Sequence, residues 1–125
     1  VKTTKFICDK LAMPIPTVND SLPLAVRPFF EDQSVQVIQP DLGNCGGLTE
    51  GKKICDMAYV YDISVQAHVC ASPLSTAVAL HLESVIPNFV IHEHHTNNLK
   101  PWNKELCTVD WQPVDGKFKV RRGPA

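Results

Sequence analysis

Three ionisable residues, Asp41, His68 and Glu93, each follow a short apolar run, and they stand 27 and 25 residues apart. Val35-Gln36-Val37-Ile38 leads to Asp41, Ile63-Ser64-Val65-Gln66-Ala67 to His68, and Phe89-Val90-Ile91-His92 to Glu93. An imidazole beside a carboxylate is a general acid or base suited to neutral pH, because the carboxylate fixes the ring tautomer and favours the protonated form. An Asp41–His68 dyad is therefore the first expectation. The plainer alternative has Asp41 capping the loop after it, His68 as a satisfied core histidine and Glu93 as a solvated strand end. His92-Glu93-His94-His95 invites a zinc reading, but strand alternation puts His92 and His94 on one side and Glu93 on the other. No HExxH helix or CxxC pair accompanies them, so a histidine-lined loop rim is expected instead. Gly43 to Gly47 matches neither a Walker loop nor a GxGxxG fingerprint. Cys70, just past His68, reads as a buried structural thiol rather than a nucleophile.

The elements that must hold these residues repeat. Residues 35–38 are β-branched enough for a buried strand. A glycine-containing loop follows, then an amphipathic helix over about 48–61 with Leu48, Ile54, Cys55 and Ala58 inward and Lys52 and Lys53 outward. The next helix has Ser72 as N-cap and Pro73 at its first position. Leu74, Val78, Leu82 and Val85 mark its buried stripe, and Pro87-Asn88 stops it. Upstream, residues 1–12 suit the tail of a helix with Phe6, Ile7, Cys8 and Leu11 as its apolar stripe, 13–15 a short strand, and 24–32 a helix interrupted by Pro28. Beyond Thr96 the alternation ends; Asp115-Gly116 suits the turn of a hairpin within 111–120, and 121–125 are expected to be disordered. Strand–helix alternation argues for a parallel sheet with right-handed crossovers. In such folds chemistry sits at the C-terminal strand ends. A whole (β/α)₈ barrel needs roughly 250 residues, so the chain is either a small open α/β sheet or part of a barrel.

With 125 residues the chain is long enough for one domain, and 44% hydrophobic with 20% charged residues is an ordinary globular composition. A net charge of −1 gives no electrostatic case for binding nucleic acid or an anionic membrane. No apolar run reaches the ~20 residues of a membrane span. Five cysteines without a CxxC pair suit reduced thiols in a cytoplasmic protein better than a disulfide framework.

Gln39-Pro40-Asp41-Leu42-Gly43-Asn44-Cys45-Gly46-Gly47-Leu48-Thr49-Glu50, Gln66-Ala67-His68 and Ile86-Pro87-Asn88-Phe89-Val90-Ile91-His92-Glu93-His94-His95 resemble the enolase superfamily. The likeness is to the mandelate racemase/muconate lactonising branch and, within it, the acid-sugar dehydratases. It runs from about Ile7 to Val120. The resemblance implies the C-terminal part of a (β/α)₇β TIM-like barrel: residues 1–95 would cover roughly its last four strands, and 96–125 an extension toward the capping domain. It also implies a lyase that abstracts the proton α to a sugar carboxylate, with Mg²⁺ stabilising the enediolate, and expels the β-hydroxyl as water to give a 2-keto-3-deoxy acid. His68 would be the acid that assists this departure, with the base of the first step as its alternative role, and Asp41 its partner, while Glu93 would help hold the enolate or substrate carboxylate, with His92 and His94 as substrate contacts. A racemase or epimerase of the same branch, or a non-catalytic half-barrel remnant, are the alternatives. The implied partners are a sugar acid and either a second copy or a missing N-terminal half.

One departure stands out. The resemblance implies a metal carboxylate in a Gly-Glu-Arg-like motif after the first strand, where this sequence has Val18-Asn19-Asp20-Ser21. Asn19 and Asp20 are the nearest candidate ligands, and the remaining Mg²⁺ ligands would lie before residue 1. A one-base reading-frame slip over about residues 16–26, with a second near Arg121, is one explanation and true divergence the other. The chain alone is accordingly expected to be inactive.

Overall fold

Three two-residue strands hydrogen-bond side by side, all parallel, in the computed structural model, which describes residues 2–11, 16–17, 23–70, 72–109 and 111–120. The strands are β1 (Pro16–Thr17), β2 (Val37–Ile38) and β3 (Ser64–Val65), in the order β1-β2-β3. The register pairs Thr17 with Ile38 and Ile38 with Val65. Bridges continue the ladder outward: Asp41 lies beside His68, and Phe89 beside Val65 as the start of a fourth parallel segment. Parallel neighbours need a crossover, and helices supply it. The helices are α1 (Lys2–Lys10), α2 (Pro23–Glu31), α3 (Gly47–Val60), α4 (Pro73–Glu83) and the single turn α5 (Pro101–Lys104), which follows a 3₁₀ turn at Thr96–Leu99. The expected strand at 13–15, Asn19 and Asp20, the proposed second slip near Arg121 and the end at 121–125 lie outside the described residues, as does the 18–22 part of 16–26.

The pleat sorts side chains into two faces. Ile38, Pro40 and Leu42 are buried, as are Val65, Ala67 and Val69, whereas the alternate residues Gln39, Asp41, Gln66 and His68 are only partly covered. The buried face packs on Phe30 and Val26 of α2, Ile54, Cys55 and Ala58 of α3, and Ala79 and Leu82 of α4. The other face carries the polar residues, with Gln39 Nε2 donating to Gln66 Oε1 across neighbouring strands at 3.2 Å.

Two helices turn into the next strand by the same device. After α2, Gln33 is left-handed (φ 46°), with Ser34 N donating to Phe29 O and Gln33 N to Phe30 O. After α3, Asp62 is left-handed (φ 56°), with Ile63 N donating to Ala58 O and Asp62 N to Tyr59 O. This 6→1 and 5→2 pair closes the last helical carbonyls and reverses the chain onto the sheet.

Several expectations are corrected. Pro28 does not interrupt α2, which runs through it. Leu48, in the first turn of α3 (Gly47–Val60), is exposed rather than inward. Of the α4 stripe, Leu82 is buried and Val78 partly so, but Leu74 and Val85 are exposed; α4 ends at Glu83 and buries Pro73, Thr76, Ala79 and Leu80 instead. The stripe on α1 is present as a pattern, yet Phe6, Ile7 and Leu11 are exposed. The hairpin is short: Val114 and Lys117 exchange backbone hydrogen bonds around Asp115 and Gly116, both at positive φ as a mirror-image two-residue turn requires.

Candidate functional site

The polar face of the sheet rises from the Gln39–Gln66 pair to Asp41 and His68, one pleat further toward the C-terminal ends. His68 N donates to Pro40 O at 3.1 Å, which locks the two strand ends together. The segment carrying Glu93 joins on the far side of β3. Val65 N donates to Asn88 O and Val90 N to Val65 O, so this segment runs parallel to β3 with Phe89 beside Val65, and it carries Glu93 to the end of the strand that bears His68.

His68 Nδ1 lies 2.8 Å from Glu93 Oε2, with the two side chains 20% and 26% exposed. The same Oε2 accepts the backbone N–H of Val69 at 2.7 Å. Asp41 sits beside His68 in the ladder, but its carboxylate turns into its own loop: Oδ1 accepts Gly43 N at 2.7 Å and Oδ2 accepts Asn44 Nδ2 at 3.1 Å. The backbone repeats this closure, Asn44 N and Cys45 N both donating to Asp41 O. The expected Asp41–His68 side-chain dyad is thus replaced by a Glu93–His68 pair. The reason is local: an aspartate two residues before a glycine N–H closes an Asx turn on itself more readily than it reaches across a strand.

His92 and His94 fall in a different cluster. His92 Nδ1 is 2.7 Å from Glu83 Oε2, a buried pair with side chains 7% and 4% exposed. Both histidine rings meet Phe118 edge-on, at centroid distances of 4.5 and 5.3 Å. Burial pushes the Glu83 carboxyl above its ordinary range, and His92 opposes the shift. Burial, with His92 nearby, holds His94 below the usual imidazole range. The alternation argument holds, since Glu93 faces His68 while His92 and His94 face α4 and the hairpin. Their placement as substrate contacts therefore finds no support in the geometry. Glu83 and Phe118 were missed; a glutamate in the last turn of a helix and one hairpin aromatic carry no spacing signal.

Among the described residues no three His, Cys, Asp or Glu side chains converge as metal ligands. Asp41 folds into its own loop and Glu93 Oε2 holds His68, so the described residues gather no three-ligand set for the Mg²⁺ implied by the resemblance or for a zinc ion. Cys45 and Cys55 are buried, and Cys70 and Cys107 are partly covered. Burial pushes Cys55 up to about 12 and raises Cys45 too, which keeps both protonated and inert. No described helix is long and apolar enough to cross a membrane.

Parallel strands alternating with helices, one face packed under the helices and the other ending in ionisable residues, define a section of a (β/α) barrel with its C-terminal mouth. The chain belongs to the family described as enolase C-terminal domain-like, whose model matches residues 21–124. It is 38% identical over 98 residues to a D-xylonate dehydratase of Haloferax volcanii and 34% over 92 residues to a D-galactonate dehydratase of Pectobacterium atrosepticum, covering 78% and 70% of this chain. It spans about a quarter of the length of each, 24% in both cases. Among solved structures, a member of the enolase superfamily from Salmonella typhimurium is 48% identical with a TM-score of 0.89, covering 95% of this chain and 31% of that one. A mandelate racemase/muconate lactonizing enzyme from Sulfitobacter sp. is 25% identical with a TM-score of 0.84, covering 95% and 30%.

Proposed function

We propose that this chain is the C-terminal barrel section of an acid-sugar dehydratase, with residues 1–95 forming the barrel portion and 96–125 an extension toward a capping domain. The observation that carries the reading is His68: it stands at a strand's C-terminal end on the polar face, partly exposed, with Nδ1 held by a carboxylate at 2.8 Å. A ring held through Nδ1 presents Nε2 to a ligand. In the reaction a base removes the proton α to the sugar carboxylate. The C–O bond to the β-hydroxyl then breaks as His68 Nε2 gives that oxygen its proton, and water leaves. The resulting enol ketonises to the 2-keto-3-deoxy acid. The names of the two curated relatives support a hydro-lyase of sugar acids. A cytoplasmic catabolic enzyme, working as a homo-oligomer or with an N-terminal half, belongs to the same reading, as does a divalent cation held by residues outside those described.

The test is a graft. Residues 23–120 replace the matching segment of the Pectobacterium D-galactonate dehydratase, whose own preceding segment is kept, and the product is assayed on D-galactonate and D-xylonate. The expected result is dehydration by the graft, loss with His68→Asn, and none by the 125-residue chain alone. A folded graft that is inactive beside an active parent refutes the reading.

A further inference from the structure

We propose that the hairpin within residues 111–120 is fastened to α4 by an acid-released clasp, in which Phe118 seats on the side chains of Glu83, His92 and His94. Mild acid frees the hairpin while the parallel sheet stays folded. This holds whether or not the protein is a dehydratase.

Three elements meet at the clasp. α4 supplies Glu83, the segment parallel to β3 supplies His92 and His94, and the hairpin supplies Phe118, whose ring meets both imidazoles edge-on at centroid distances of 4.5 and 5.3 Å. Leu80 of α4 and Val120 of the hairpin line the same groove, so the seat is dry while the imidazoles are neutral.

The charge around the seat allows one imidazolium and not two. Glu83 Oε2 and His92 Nδ1 lie 2.7 Å apart in a buried pair, which stays electrically balanced whichever of the two holds the shared proton. His94 has no such balance among the described residues. The charges acting on its ring are His92 and Lys104 of α5, which both oppose a proton there, and only the neighbouring Gln112 favours one. Lys117 of the hairpin adds a further positive charge to the groove. Burial acts in the same direction and most strongly, so His94 lies below the usual imidazole range when the hairpin is docked. The released hairpin therefore binds more protons at His94, and release is favoured as pH falls through about 6.5. Glu83 works in the opposite sense: burial raises its carboxyl, so its own proton uptake near the carboxylate range favours the docked form. Release thus belongs to a window between the imidazole and carboxylate ranges. The buried face of the sheet carries apolar side chains and protonated thiols and lacks this dependence, so the hairpin leaves first.

NMR of the 125-residue chain from pH 7.5 to 5 tests this. Proton contacts between the Phe118 ring and the rings of His92 and His94 report docking. Exchange protection of the Val65 and Val90 amides, which pair β3 with the neighbouring segment, reports the fold. The expected result is loss of the Phe118 contacts below about pH 6.5 with both amides still protected, and a hairpin spectrum at pH 5 that matches Phe118→Ala at pH 7.5. His94→Phe is expected to keep the hairpin docked down to pH 5. Lys104→Met, a change at an exposed side chain, is expected to move the midpoint of release down by about 0.2–0.7 of a pH unit, the scale of one exposed charge interaction. Phe118 contacts that persist at pH 5 in the parent, as a cation–π attraction to a charged imidazole would produce, overturn the proposal. Release that is unchanged in His94→Phe does so too, as does loss of Val65 protection together with the contacts, which is global unfolding. If His94→Phe does not fold, the Lys104→Met midpoint decides, and an unmoved one overturns the proposal.

Discussion

Asn88 is the residue on which the placement of Glu93 turns, and its replacement offers a quantitative test. Its side-chain Nδ2 donates to Ile63 O at 2.8 Å and to Cys55 O at 3.2 Å, while its backbone O accepts Val65 N at 2.8 Å. One side chain thus ties the interior of α3, the entry to β3 and the start of the segment that ends in Glu93. Asn88→Ala removes both side-chain bonds. Cys55 O lies inside α3 and keeps its helical partner, so the larger loss is at Ile63 O, in a residue that is buried. An unsatisfied buried carbonyl costs about 1–3 kcal/mol, which sets the expected destabilisation near 2 kcal/mol, with the smaller Cys55 contact within that range. Asn88→Asp is nearly isosteric yet at pH 7 presents a carboxylate, with no donor, to two carbonyls; it is expected to cost at least about 1 kcal/mol more than alanine. Lowering the pH through the carboxylate range restores a single O–H donor and narrows that difference. Urea denaturation of the chain followed by circular dichroism, at pH 7 and pH 3.5, measures all four quantities. Asn88→Ala within about 0.5 kcal/mol of the parent, or Asn88→Asp equal to it at pH 7, would refute the claim that donation by Nδ2 organises this corner.

Three further outcomes follow from single observations. A Cβ at Gly51 would collide with Leu42 Cδ2 inside the core, so Gly51→Ala is expected to cost about 1–3 kcal/mol. Leu42→Ala in that background should cost less than in the parent, and additive denaturation midpoints would contradict the contact. Gln33 holds a left-handed backbone at the end of α2; Gln33→Gly should stabilise by about 1 kcal/mol, read from the same urea curves, and a destabilised variant would contradict the turn. His94 is held below the ordinary imidazole range by burial and by His92, with Lys104 opposing its charge and Gln112 and Phe118 beside it. As pH falls through about 6.5 the unfolded chain takes up a proton that folded His94 refuses, so stability declines below that point. His94→Phe should remove this part of the decline, and parallel stability curves for variant and parent from pH 7.5 to 5 would show that His94 carries none of it.

Much of the architecture is legible in the sequence because the period of two is strong where the sheet is well formed. Val65, Ala67 and Val69 against Gln66 and His68 separate the faces cleanly, and the intervals between runs leave room for one helix each. Element lengths were overestimated for a physical reason: regular pairing covers two residues of each run, and the ladder beyond them is carried by bridges at Asp41, His68 and Phe89. Leu74, Val85, Val90 and Ile91 show a second limit, since each is apolar and each is exposed. Apolar periodicity states which face needs covering, and does not state that the described residues cover it.

The partner of His68 was beyond reach of spacing for a different reason. Asp41 and Glu93 lie on the two segments that flank the one bearing His68, so both carboxylates qualify by position alone. The choice between them is made by backbone donors that a residue pattern does not reveal. Gly43, two positions after Asp41, offers an N–H at 2.7 Å and draws that carboxylate into the loop. Val69 offers its N–H to Glu93 at the same distance, but on the strand that holds His68, so the donor that satisfies Glu93 also delivers it to the imidazole. In one case a backbone amide removes a carboxylate from the site, and in the other it installs one. The side-chain types are the same in kind; the direction of one N–H separates a loop cap from a partner of the histidine.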